Sequence, residues 1–381
     1  MNKNKSPRKK LGILGYSCLA IVAMVLIHSG LTIYGRWNVG KLKVDIVYLW
    51  CDGNDLVFAE KRKTAAARIG RKEHKSNLRG RFSNNDELKF SLRSLEKYAP
   101  WINHIFIVTN KQVPPWLDTK NSKITIVDQG SIMPKKYNPH FSFSSPAIES
   151  YLHKIPNLSE HFLYANDDMF FGSRVKPWFF FDRKGNPIVR GFKISKFYKK
   201  KKKLREYIKK ADKIYNQTIF YSLYLVMEKF GDVPDIFPHH NIDAYRKSYM
   251  EDTFSTFKKE YDYTSSYPFR KKNTLQRVII SYVDYAKKRA TIRYVKSRHT
   301  LLLRKFHFLT QFQDSLYRPL SYFSSEKAKY AKKFEKEKKW LKNGKFPLFC
   351  LNDNSGSTED DRLEAKKFLG ELFPEKSSFE K

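Results

Sequence analysis

A few short stretches of this chain hold residues able to do chemistry, and most lie where an apolar run gives way to polar residues. His161–Ser173 reads HFLYANDDMFFGS, which sets Asn166, Asp167 and Asp168 between aromatic residues. Two adjacent carboxylates in apolar surroundings repel each other and lose hydration unless a cation or a base neutralises them. A divalent ion gripping a diphosphate meets that need, since Mg²⁺ takes one or two carboxylates together with phosphate oxygens. An exposed Asx turn is the plainer alternative. Val44–Trp50, VDIVYLW, runs into Cys51-Asp52-Gly53-Asn54-Asp55. A buried strand that breaks into Asp, Gly and Asn at its carboxyl end is a usual ligand loop of α/β sheets, although the same dipeptides also make ordinary turns. Gly231–Asp243, GDVPDIFPHHNID, carries His239 and His240 in a proline-containing loop, where imidazoles commonly act as acid or base. HExxH and CxxC spacings are absent, so zinc catalysis is not indicated. Arg270 closes an aromatic turn, Tyr267-Pro268-Phe269, and LFCLNDN is another short apolar strand ending in Asn-Asp, at Asn352-Asp353.

The elements that must position these groups follow from periodicity. Val44–Trp50, Ile105–Thr109, Ile124–Val127 and Phe162–Tyr164 are short runs rich in β-branched and aromatic residues and read as strands. Between the first two, Leu88, Leu92, Leu95 and Tyr98 recur at helical spacing, with Asn85 or Asp86 as a cap and Pro100 as a stop. Arg93 on that helix is expected to pair with Glu87 or Glu96. Strand, helix, strand, strand at this spacing predicts an α/β fold with a parallel or mixed sheet and covering helices.

Composition bounds the rest. The chain has 381 residues, 41% hydrophobic and 15% aromatic, enough for a substantial core and too apolar for disorder throughout. Three cysteines, Cys18, Cys51 and Cys350, are too few and too scattered for a disulfide framework. With 74 Lys plus Arg against 38 Asp plus Glu, the net charge is +36, which favours anionic partners. A lysine-rich proteome with solvated helix faces accounts for it equally well. Zinc-finger, RNP and helix-turn-helix signatures are missing, so nucleic acid is not an expected partner.

The N-terminus reads as an address. Residues 1–10 are a basic tail, and 11–35 contain no Asp, Glu, Lys or Arg. At 1.5 Å per residue that run extends roughly 37 Å, enough for a transmembrane helix. A retained single-pass anchor is therefore expected, with the membrane as partner. Charge bias leans toward a cytosolic tail and a body on the far side. The lack of disulfide pairs and the three charges after the span favour instead the inner face of a bacterial plasma membrane, with a Golgi-type lumenal body as the alternative.

Taken in order, four blocks resemble the Stealth family of sugar-1-phosphate transferases, which includes bacterial capsule and exopolysaccharide phosphotransferases and the catalytic core of a eukaryotic N-acetylglucosamine-1-phosphotransferase. The blocks are VDIVYLWCDGND (44–55); the stretch from Arg81 through NDELKFSLRSLEKYAPWINHIFIVTN and YANDDMFFG (81–172); PHHNID with the later Phe269-Arg270 (234–300); and FCLNDN with FLGELFPEKSSFE (346–380). The resemblance implies a single Rossmann-like catalytic domain over 44–381. It also implies transfer of a hexose- or N-acetylhexosamine-1-phosphate from a nucleotide sugar, most commonly a UDP-sugar, to a hydroxyl of a glycan or polysaccharide. By the same resemblance Asp168, with Asp167 and Asp353, holds Mg²⁺ or Mn²⁺. The x-Ile-Asp that follows selects His240 over His239 as general base, and Arg270 stabilises phosphoryl charge. Asp52, Asn54, Asp55, Arg81, Asn166, His239 and Asn352 then contact substrate. A metal-dependent glycosyltransferase and a non-catalytic scaffold of polysaccharide assembly are the competing functions.

Overall fold

The structure is a computed structural model that describes residues 21–25, 29–30, 32, 34–70, 82–194, 200–211, 213–295, 300–303, 338–351, 353 and 358–381. Its centre is a five-stranded sheet in the order β3-β2-β1-β4-β8. The strands are β1 (Val44–Leu49), β2 (Ile105–Thr109), β3 (Ile124–Asp128), β4 (His161–Asn166) and β8 (Asp243–Arg246). The first four run parallel, and β8 closes the edge antiparallel to β4. Alternation explains why this sheet is buried on both sides: Val47, Phe162 and Tyr164 enter one core cluster, while Ile46, Tyr48, Leu163 and Ala165 enter the other. Helix α1 (Glu87–Tyr98) covers the second face through Leu88, Leu92 and Leu95. Helices α2 (Ile214–Phe230) and α3 (Val278–Ala286) cover the first through Ile219, Leu223, Ile279 and Val283.

The chain leaves β1 toward β2 and β3, then returns on the other side of β1 as β4. That reversal makes the β1/β4 boundary a topological switch point, where loops at the carboxyl ends of strands splay apart and ligands bind. Leu49 pairs with Asn166 there, so the Asp52 loop and Asn166-Asp167-Asp168 leave the sheet at the same edge.

Two smaller sheets flank this one, so the expectation of a single sheet is not met. The first is β10-β11-β5, with β5 (Met169–Phe171), β10 (Thr300–Leu303) and β11 (Leu348–Leu351). The second is β7-β6-β9, with β6 (Ile188–Lys193), β7 (Ile236–Pro238) and β9 (Thr291–Tyr294). The first matters most for the site, because β5 starts directly after Asp168 and pairs antiparallel with β11.

The expected membrane anchor is corrected by the structure. Among the described residues no helix is long and apolar enough to cross a membrane, and a single-pass membrane location is not supported. Residues 1–20 of the expected tail and anchor lie outside the described residues. The helical residues beyond them continue past Gly35 to Gly40, and their end packs on the body, with Val39 in the second core cluster. Of the run's own described residues, Ile21–Val25 and Tyr34 are exposed and Gly35 is buried, and the helix reaches the core only beyond the run, at Val39.

Candidate active site

The β1 loop is built around Gly53. Its N–H donates to the Phe82 carbonyl at 2.7 Å, and a Cβ there would lie 2.2 Å from that oxygen. Asp52 accepts from the Asn54 N–H at 2.9 Å and from Asn84 Nδ2 at 3.2 Å. Gln112 holds the loop as a strand would. Its Oε1 accepts the Asp52 N–H, and its Nε2 donates to the Asp52 carbonyl. Asp55 caps the following helix, Leu56–Arg68, by accepting from the Phe58 N–H at 2.7 Å. This gives Asp55 a structural task, while Asn54 stays exposed. Arg81 and Asn352 lie outside the described residues.

Beside this loop stands a cluster of acids. Asp167 and Asp168 follow β4, Glu87 opens α1, and Asp353 follows β11. Burial pushes Asp168 up to about 7; the Cys350 thiol pulls it back, and Glu87 and Asp353 add repulsion. Asp167 is raised well above the carboxylate range by burial, then by Glu87 and Asp168. Glu87 is also raised by burial, with hydrogen bonds from Asn85 offsetting part of the effect. Asn85 ties the cluster together, donating to Glu87 at 2.6 Å and to Asp353 at 3.5 Å. Arg362 reaches Asp353 from the helix Glu359–Leu372 at 2.8 Å. Buried carboxylates that resist ionisation, together with an Asp168 Oδ1 that has no hydrogen-bond partner, fit a cation bound among them.

His240 faces this cluster, its Nε2 3.9 Å from Asp168 Oδ2. The donor atoms of Asp168, His240 and Cys350 all lie within 4.8 Å of one another. His240 also lines a small open cleft together with Asn166, His239, Arg270 and Arg277, among others. Arg270 donates to Ser145 Oγ at 3.2 Å and sits over the Tyr215 ring, while its buried Nε has no hydrogen-bond partner. Among the described residues it makes no ion pair, and burial lowers its pKa from the usual arginine value. Arg277 is its opposite: it pairs with Asp243 at 2.7 Å and Glu149 at 3.4 Å, and stacks on Tyr164. Asp243 in turn pairs with the buried His239 at 3.2 Å. Arg270 is thus available to a ligand, whereas Arg277 holds the cleft wall.

The structure therefore brings Asp167, Asp168, His240 and Asp353 to one edge, with Asn166, His239 and Arg270 on the adjoining cleft. Sequence reading missed Glu87, Gln112, Arg277 and Arg362. Glu87 looks like an ordinary first-turn acid of a helix. Arg93 departs from its expected partners: its guanidinium meets both carboxylate oxygens of Glu380 at 2.7 Å and the Phe373 carbonyl at 2.9 Å. It locks α1 to the chain end. Asp86, expected as a cap, occupies the N-cap position of α1 at φ 63° without a side-chain cap bond, and instead pairs with Lys366 at 2.6 Å.

Acids, imidazoles and an arginine at the carboxyl edge of a parallel-rich α/β sheet form the layout of an enzyme that handles charged, phosphoryl-bearing substrates. Residues 81–189 match the Stealth protein CR2, conserved region 2. Over 327 residues the chain is 31% identical to a capsular polysaccharide phosphotransferase of Haemophilus influenzae, covering 83% of this chain and 79% of that one. It is 30% identical to an exopolysaccharide phosphotransferase of Streptomyces coelicolor, covering 90% of this chain but only 53% of that one. It is 40% identical to one of Lactiplantibacillus plantarum over 39% of this chain and 42% of the relative. A solved galactosyltransferase, LgtC, in complex with donor and acceptor sugar analogues, is similar at 10% identity and TM-score 0.40, covering 87% and 95% of the two chains. The chain belongs to the Stealth family and is an enzyme of sugar-phosphate transfer.

Proposed function

We propose that this enzyme transfers a sugar 1-phosphate from a nucleotide sugar, a UDP-sugar in the first instance, to a hydroxyl of a capsular or extracellular polysaccharide. The observation that carries the reading is the opposition of His240 and Asp168 at 3.9 Å, with Arg270 on the same cleft. His240 Nε2 takes the acceptor proton as the oxygen attacks the phosphorus bonded to the sugar. The bond from that phosphorus to the bridging oxygen breaks, and a nucleoside monophosphate leaves. Arg270 stabilises the charge developing on the phosphoryl oxygens. A divalent ion such as Mg²⁺ or Mn²⁺, held by Asp167, Asp168 and Asp353, would neutralise the diphosphate. The Asp52 loop with Asn54, Asp55 and Arg81, together with Asn166, His239 and Asn352, contacts donor or acceptor.

The test is to identify the nucleotide released when the protein meets a panel of nucleotide sugars, Mg²⁺ and surface glycan. A nucleoside monophosphate, with phosphorus retained in the glycan, supports the proposal. A nucleoside diphosphate would mean glycosyl transfer and overturn it.

A further inference from the structure

We propose that Cys350, His240 and Asp168 form a binding site for a soft divalent cation, Zn²⁺ or Co²⁺, which shares Asp168 with the oxygen cluster. Their ligand atoms lie within 4.8 Å of one another, and the imidazole and carboxylate are 3.9 Å apart. A tetrahedral ion with metal–ligand bonds of about 2.0–2.3 Å needs its ligands roughly 3.3–3.6 Å apart. Closing the triangle takes about 1 Å, within reach of a rotamer adjustment of His240, whose side chain is 30% exposed on its loop.

The other two ligands are held by strand pairing. Cys350 is fully buried on β11, directly opposite Met169 of β5, and the Leu351 N–H donates to the Asp168 carbonyl at 2.9 Å. These two backbones cannot drift apart without breaking that ladder. The Asp168 carboxylate already meets the Cys350 thiol, and its buried Oδ1 has no hydrogen-bond partner, so it can turn an oxygen to a cation. The donor set decides the metal. Sulfur and imidazole select zinc-like ions, whereas Mg²⁺ prefers oxygen and binds thiol poorly. On binding, the Cys350 S–H and any proton on Asp168 are released to solvent, because a coordinating thiol is deprotonated. Glu87 and Asp353 oppose ionisation of Asp168, and Asp168 opposes that of Asp167, a mutual repulsion that a bound cation would relieve, while Arg362 offsets part of it at Asp353. The fourth position remains open to water.

One consequence rests on the transferase reading above: an imidazole lone pair bound to metal cannot accept the acceptor proton, so occupancy inhibits transfer. The binding itself needs neither donor nor acceptor.

The decisive measurement is Co²⁺ titration of the full-length, metal-free protein, following thiolate-to-cobalt charge-transfer absorption. A Cys18→Ser/Cys51→Ser double variant leaves Cys350 as the sole thiol. A saturable band with one equivalent in that variant is expected; its absence overturns the site. Cys350→Ser should abolish the band, and Asp168→Asn and His240→Ala should each weaken cobalt affinity at least tenfold. A band that survives Cys350→Ser, or an affinity unmoved in both other variants, overturns the three-ligand assignment. Zn²⁺ should displace Co²⁺ and block nucleotide release until chelated. Displacement without inhibition would refute the inhibitory role alone, and failure of nucleotide release with every donor would count against the transferase reading while leaving the cobalt result intact.

Discussion

His240 Nε2 stands 3.9 Å from Asp168 Oδ2, joining a loop after β7 to the turn after β4 across the edge of the central sheet. Replacing the imidazole removes a proton acceptor but little packing, since its side chain is 30% exposed. His240→Ala should therefore lower nucleotide release by about 10²–10⁴-fold. Its thermal midpoint should match the parent's. Turnover within a few-fold of the parent would eliminate the general-base role.

Arg270 and Arg277 line the same cleft but should fail differently. Arg270→Lys keeps the charge and loses the planar fork, so release should fall by more than tenfold with stability unchanged. Arg277→Met strands Asp243 and Glu149 without their cation and should cost about 3–5 kcal/mol of stability. Urea unfolding of the two variants in parallel separates the effects; equal stability losses would contradict the division of labour.

The acid cluster predicts a stability that depends on divalent ions. Glu87, Asp167 and Asp168 are raised by burial and by one another, so a bound cation relieves a repulsion present in the metal-free fold. At a hundredfold excess over its dissociation constant, Mg²⁺ or Mn²⁺ should add about 2.7 kcal/mol. Asp168→Asn should melt higher than the parent without metal and gain nothing from its addition. A parent protein whose melting ignores both ions and chelator would leave the cluster without a cation.

Asp284 gives a pH test far from the chemistry. It is 1% exposed, and burial raises it to about 7, with Arg289 at 2.8 Å pulling the other way. Between the ordinary aspartate pKa and about 7 the folded state holds a proton that the unfolded state has lost. Its contribution to stability therefore falls as pH rises through that window and is flat above it. Asp284→Asn removes the dependence, so its stability relative to the parent should improve from pH 4 to pH 8 by up to about 4 kcal/mol. A difference between the two proteins that stays constant over that range would show that Asp284 is ionised throughout.

Gly53 offers a steric test of the β1 loop. A methyl group there meets the Phe82 carbonyl at 2.2 Å, and backbone cannot swing away as a side chain can. Gly53→Ala should cost about 1–3 kcal/mol and weaken donor binding more than it slows the bound complex. Parent-like melting and KM would show that the loop tolerates the shift.

Much of this protein was legible in its sequence because the signals are local. Strand β2 follows from an unbroken apolar run, and helix α1 from leucines at helical spacing ahead of Pro100. The Asp52 and Asn166-Asp168 loops announce themselves where apolar strands stop, and the order of the motifs pointed to the family. Local signals also misled. An uncharged N-terminal run has the length and polarity of a membrane span, yet among the described residues no helix is long and apolar enough to cross a membrane, and the helix continues past the run to reach the core at Val39.

What the tertiary structure alone decided is which distant groups share one low-dielectric space. Glu87, Cys350 and Arg362 look unremarkable in their own segments. They become part of the site because β5 and β11 pair antiparallel and α1 packs its first turn beside the β4 turn. Arg93 bonds Glu380 rather than its helical neighbours for the same reason. Chain periodicity records which face of an element is apolar, but electrostatic partners are chosen by distance and burial, and those exist only once the sheets have assembled.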